Sequence, residues 1–268
     1  MGTLLIDEGI PCPAPGWSAH ALRDRPDAVC AIHKKYDRAG AHVHTANTFR
    51  TQPDSIGSDW KALTARAVAL ARGSVSPGSK IAGSIAPLAD CYRPDLSPLH
   101  PLERHTQMAQ ALAAAGVDLL IVETFPHVEE AIAASKAAVS TGLPVWVSFT
   151  AGYRGDLLSP AEVRAGAKQA VRQGVQAVLV NCTPATMTLD YIQALNGVDA
   201  AVGAYANAGH VSDALGLQDP SGPERYADLA HQWIEAGASI VGGCCGTGPA
   251  HIAELHRRFG TICDQTVS

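Results

Sequence analysis

The chain has 268 residues, 47% of them hydrophobic, with 25 Gly and 17 Pro, which is apolar material for a sizeable core cut by many turns and argues against disorder. A formal charge of -5 with no block of basic residues excludes a nucleic-acid footprint and an anionic-membrane surface and leaves small-molecule chemistry. The N-terminus has no basic n-region and no run approaches the ~18 apolar residues of a spanning helix, so a soluble cytoplasmic protein is expected.

Short β-rich runs alternate with stretches of helical period. A strand at 3–7 leads to a helix at 18–39, a strand at 42–46 to a helix at 56–73, and a strand at 80–85 to a helix at 101–115. The pattern continues with strand 118–123 and helix 127–141, strand 144–149 and helix 160–173, and strand 177–181 and helix 186–196. It ends with strand 200–205 and helix 224–236, then strand 238–242 and helix 249–259. Gly40, Gly116, Gly142, Gly174 and Gly237 stand where helices should stop, and Ser159-Pro160-Ala161-Glu162 reads as a helix start. Eight β-α units predict a closed (β/α)₈ TIM barrel, one domain over residues 1–268, with a doubly wound open sheet as the alternative.

In such a barrel, functional residues sit at the C-terminal ends of strands. Those ends carry Asp7-Glu8, Asn47-Thr48, Ser84, Glu123-Thr124, Ser148-Phe149, Asn181-Cys182, Tyr205 to Asn207 and Cys244-Cys245, a polar set after apolar runs. The loops Pro11 to Gly16 and Pro87 to Pro94 should overhang the same rim.

The seven cysteines, at 12, 30, 91, 182, 244, 245 and 263, form an odd set without disulfide spacing and suit a reducing compartment. Cys182, Cys244 and Cys245 at two strand ends are what a thiolate-rich Zn²⁺ site with one open position requires. The competing reading is three buried thiols behaving as small hydrophobes. Neighbouring strand residues point to opposite faces, so Cys244 and Cys245 need a bend to share an ion, and Gly242, Gly243 and Gly246 can supply it. Zinc under three thiolates carries a negative formal charge, which favours capture and alkylation of a substrate thiol over hydrolysis.

Val180-Asn181-Cys182-Thr183 and Gly242-Gly243-Cys244-Cys245-Gly246-Thr247 resemble the two zinc motifs of the homocysteine S-methyltransferase family. Asp7-Glu8-Gly9, Gly16-Trp17-Ser18-Ala19, Asn47-Thr48-Phe49, Gly83 to Pro87, Val122 to Pro126 and Pro144 to Phe149 continue the likeness in family order. The resemblance implies a (β/α)₈ barrel in which Cys182, Cys244 and Cys245 hold zinc, the zinc holds the homocysteine sulfur, and a methyl group arrives from a donor. It further implies that Asp7 and Glu123 bind the homocysteine ammonium, which needs a carboxylate, and that Trp17 meets the donor's methylated cation with its indole face. Asn181 and Ser148 would be supporting or substrate hydrogen-bonding groups. Read alone, Asp7 is a turn or cap residue and Trp17 a rim or staple residue. The histidines within predicted helices, His33, His105, His231 and His251, and His44 within a strand are read as structural.

Two departures bear on specificity. Glu8 replaces a family Gly and is a second candidate for the ammonium. Arg50 stands where betaine-using relatives have a tyrosine, and a cation there disfavours a cationic donor unless it holds that donor's carboxylate. The expected reaction is zinc-dependent methyl transfer from a sulfonium donor, S-methylmethionine or S-adenosylmethionine, to homocysteine. A different thiol or selenol acceptor, or a non-catalytic zinc-binding or thiol-sensing barrel, are the alternatives.

Overall fold

In the computed structural model, which describes residues 1–260, the strands β1 (Val43–Thr45), β2 (Lys80–Ile85), β3 (Leu119–Phe125), β4 (Val145–Phe149), β5 (Ala177–Pro184), β6 (Ala201–Asn207) and β7 (Ile240–Gly243) form one parallel sheet in chain order. The seventh cysteine, Cys263, lies outside the described residues. Parallel strands covered on both faces read as continuous apolar runs, and every residue of β3 and β5 is buried. The helices are α1 (Gly2–Asp7), α2 (Ala21–Asp24), α3 (Pro26–Arg38), α4 (Pro53–Ile56), α5 (Trp60–Arg72), α6 (Leu102–Ala114), α7 (Val128–Val139), α8 (Pro160–Arg172), α9 (Thr188–Ala194), α10 (Gly222–Glu235) and α11 (Pro249–Phe259). The capping box foreseen at Ser159 and Glu162 starts α8. Among the described residues no helix is long and apolar enough to cross a membrane.

Three expectations are corrected. The helix at 18–39 is interrupted because Pro26 pushes Arg25 out of the helical region (φ -142°, ψ 55°), separating α2 from α3. The helix expected at 56–73 starts only at Trp60, because Gly57 (φ 92°) ends the short α4 and parts it from α5. Most consequentially, residues 3–7 form no strand; they belong to α1, and the closed eight-stranded barrel becomes a curled seven-stranded sheet.

The apolar run Leu4-Leu5-Ile6 fits one helical turn as well as a strand, and its flanks decide. Gly9 (φ 76°) ends α1 in a Schellman turn, with its amide on the Ile6 carbonyl at 2.9 Å and the Ile10 amide on the Leu5 carbonyl at 2.9 Å. Leu5 and Ile10 are both buried in the main apolar core. Asp7-Glu8-Gly9 is therefore a helix stop.

β1 pairs with β2 alone and β7 with β6 alone, yet both edges face a single cavity of about 1400 Å³. The sheet thus wraps most of a barrel wall and leaves it open between β7 and β1.

Gly9→Ala should lower stability by about 1–2 kcal/mol in urea unfolding, because only glycine holds this left-handed turn without penalty. Metal content should be unchanged; unaltered stability would contradict the helix-stop reading.

Candidate metal and substrate site

The β5–β6–β7 register sets Asn181 opposite Tyr205 and Tyr205 opposite Gly242, so Cys182, one residue beyond Asn181, and Cys244, two residues beyond Gly242, stand within about one residue of the same height two strands apart. Strand spacing would keep them about 9–10 Å apart, and local backbone distortion closes that gap. Register shifts after Asn181, and Cys182 takes a left-handed conformation (φ 50°), uncommon for a residue with a side chain. Asn207 steadies it by donating from Nδ2 to the Cys182 carbonyl at 3.0 Å.

On the other side the Cys244 amide bonds the Ala206 carbonyl at 2.8 Å, and the Cys245 carbonyl accepts from Ala208 at 2.9 Å. The chain turns at Gly246 (φ 78°), where a Cβ would come 2.9 Å from the Ala208 side chain. A Cβ on Gly243 would strike the Thr247 hydroxyl, which bonds the Cys244 carbonyl at 2.8 Å. Gly243 and Gly246 thereby supply the expected bend.

The Cys182 sulfur lies 2.7 Å from that of Cys244 and 3.8 Å from that of Cys245, and all three lie within 4.8 Å of one another. Thiolates about 2.3 Å from a tetrahedral zinc stand about 3.8 Å apart, so this donor set fits zinc once the closer pair opens by roughly 1 Å. Hydrogen bonds from Cys182 and Cys244 pull the Cys245 thiol down to about 3. Cys182 is pushed up, first by its bonds with Cys244 and Cys245 and then by burial. Cys244 is also raised: its bond to Cys182 acts in the opposite sense, and Cys245 and burial outweigh it. A divalent cation held by the three sulfurs would favour the thiolate form of each.

Glu123 lines the same cavity. Burial raises its pKa, against which Ser84 Oγ and Tyr205 Oη, the latter at 2.9 Å, donate to its two carboxylate oxygens. The next residue, Thr124, is left-handed (φ 63°) beside a register shift in β3.

Asn181 links the two distortions. Its Oδ1 accepts from the Thr124 amide at 3.0 Å and from Ser148 Oγ at 2.8 Å, and its Nδ2 donates to Thr124 Oγ1 at 2.7 Å. Asn181 and Ser148 are fully buried and do not line the cavity themselves; their neighbours in the chain and in space, Cys182 and Thr124, do.

Trp17 (φ 46°) and Phe49 also line the cavity, edge to face at 6.4 Å. Their loops are tied by Ser18 Oγ donating to Asn47 Oδ1 at 2.7 Å and Asn47 Nδ2 donating to the Ser18 carbonyl at 2.8 Å. Thr48 and Ser84 exchange hydrogen bonds that pin the Phe49 loop to β2. Both expected overhanging loops reach the cavity, through Cys12, Ala14 and Pro15 and through Leu88 to Tyr92.

Cys182, Cys244, Cys245, Glu123 and Trp17 thus share one cavity, and Asn181 and Ser148 brace it. Asp7 and Glu8 do not join them. The end of α1 carries both outward, where Asp7 accepts from Gln218 and Glu8 pairs with Lys35. Tyr205, Asn207 and Thr124, which the sequence placed among the polar strand ends without giving them a role, hydrogen-bond Glu123, the Cys182 carbonyl and Asn181 respectively.

A model of the homocysteine S-methyltransferase family matches residues 1–259. The homocysteine S-methyltransferase of Escherichia coli is 31% identical over 293 residues, covering 96% of this chain and 93% of that protein. The S-methylmethionine–homocysteine S-methyltransferase of Pongo abelii is 31% identical over 266 residues, covering 89% of this chain and 71% of that protein. The crystal structure of the E. coli homocysteine methyltransferase MmuM in its metallated form superposes with a TM-score of 0.78 at 25% identity, covering 96% of this chain and 94% of that one.

Asn181→Ala should weaken zinc binding about 10–100-fold in chelator competition while leaving all three cysteines in place. Wild-type affinity would show that the left-handed turn at Cys182 holds without this brace.

Proposed function

The chain belongs to the homocysteine S-methyltransferase family, and on that premise we propose that it transfers methyl from a sulfonium donor, S-methylmethionine or S-adenosylmethionine, to homocysteine, with Cys182, Cys244 and Cys245 as zinc ligands. The observation that carries this reading is the convergence of three thiols, a buried carboxylate and an aromatic pair on one cavity. A bound zinc ion would supply thiol activation, since metal coordination deprotonates a thiol at neutral pH.

The chain's own residues do the rest. Glu123, oriented by Ser84 and Tyr205, faces the homocysteine ammonium, and an ion pair returns the charge that burial disfavours. Trp17 and Phe49 present aromatic surface to the sulfonium, whose positive charge their ring faces attract. Holding both substrates in this cavity turns a bimolecular displacement into an oriented one. The acceptor sulfur forms the new C–S bond as the donor C–S bond breaks, and the electron pair stays on the departing neutral sulfur. No general base is needed at the methyl group.

Zinc-loaded protein should form methionine from homocysteine with S-methylmethionine or S-adenosylmethionine, measured across a donor panel that includes betaine. Cys245→Ser should lose zinc and at least about 100-fold in turnover together, exceeding the effect expected of a supporting residue. Full turnover in the zinc-depleted variant would refute the assignment.

A further inference from the structure

We propose that Arg50 binds the carboxylate of the methyl donor and so selects amino-acid sulfonium donors over sulfonium ions that lack a carboxylate. This rests on the methyl-transfer reading and extends it to the donor's far end.

Arg50 is half-buried and lines the cavity that holds the three thiols. One of its five N–H groups is used within the protein, Nη1 donating to the Ala89 carbonyl at 3.0 Å. Asp54 and Asp90 line the same cavity, and neither forms an ion pair with Arg50. Asp54 pairs with Arg104, and Asp90 Oδ1 accepts from the Tyr92 amide at 2.9 Å. Among the described residues, the other arginines without a carboxylate partner differ from Arg50. Arg38, Arg66, Arg154, Arg172 and Arg225 are exposed to water. Arg164 spends one nitrogen on two carbonyls, those of Ala194 and Asn196. Arg50 alone combines partial burial, a cavity position and a fork of free donors. A guanidinium in that state calls for an anion, and its planar fork matches a carboxylate.

The surroundings indicate which anion. The Arg50 guanidinium lies 5.0 Å from the centre of the Phe49 ring, and Phe49 meets Trp17. Aromatic surface for a cation is therefore continuous with a cation for an anion. A sulfonium amino acid carries both charges in one molecule. A bare sulfonium gains the aromatic contact and suffers repulsion from Arg50. Loss of a charge-assisted hydrogen bond in such a site corresponds to about a tenfold or greater loss of affinity.

The test compares kcat/KM for S-methylmethionine and for its decarboxylated analogue, (3-aminopropyl)dimethylsulfonium, in the wild type, Arg50→Gln and Arg50→Lys. Expected for Arg50→Gln is at least a tenfold rise in KM for S-methylmethionine with a smaller change in kcat, and an unchanged or improved kcat/KM for the analogue. Arg50→Lys should recover part of the preference through charge alone. Equal losses with both donors, or an unchanged KM for S-methylmethionine, would overturn the inference while the methyl-transfer reading stands. A wild type inactive with every sulfonium donor would overturn both. Thermal unfolding of each variant separates misfolding from altered selectivity, and Arg50→Lys keeps the test decisive if Arg50→Gln does not fold.

Discussion

Everything at this site depends on bringing three sulfur atoms from two non-adjacent strands to within 4.8 Å of one another. A regular parallel sheet does not do this, since β6 lies between β5 and β7 and keeps their ends apart. The solution is local backbone distortion: a left-handed Cys182 on one side and a glycine-bounded turn through Cys244 and Cys245 on the other. Such conformations cost on the order of 1–3 kcal/mol each and persist only where their surroundings over-determine them. Here Asn181, Asn207 and Thr247 do so through hydrogen bonds.

The same braces couple the metal-competent end of the cavity to the part lined by Glu123. Asn181 holds the left-handed Thr124, whose neighbour Glu123 projects into the cavity, and it precedes Cys182 in the chain. A change at this one buried amide should therefore disturb both ends. Removing it would also leave the Thr124 amide without its buried acceptor, a penalty of about 1–3 kcal/mol. Trp17, Phe49 and Arg50 line the same cavity.

Much of this was legible in the residues. Seven of eight expected strands are present, because apolar runs such as Leu119 to Val122 and Ala177 to Val180 are bounded by glycine on one side and polar rim residues on the other. The three cysteines and Glu123 could be placed because each follows such a run at its C-terminal end. The first strand could not. Leu4-Leu5-Ile6 is short enough to satisfy either period, and the Gly9 turn together with burial of Ile10 decided for helix. The hydrogen bonds of Asn181, Tyr205 and Asn207 were illegible for another reason. They join residues 25 to 82 positions apart, a distance over which no local pattern operates.

X-ray absorption at the zinc edge of the loaded protein, recorded before and after adding homocysteine, tests the central claim most directly. Three sulfur scatterers are expected without homocysteine and four with it, at about 2.3 Å. Fewer than three at the outset, or no increase on adding homocysteine, would contradict a thiol-activating site built from Cys182, Cys244 and Cys245.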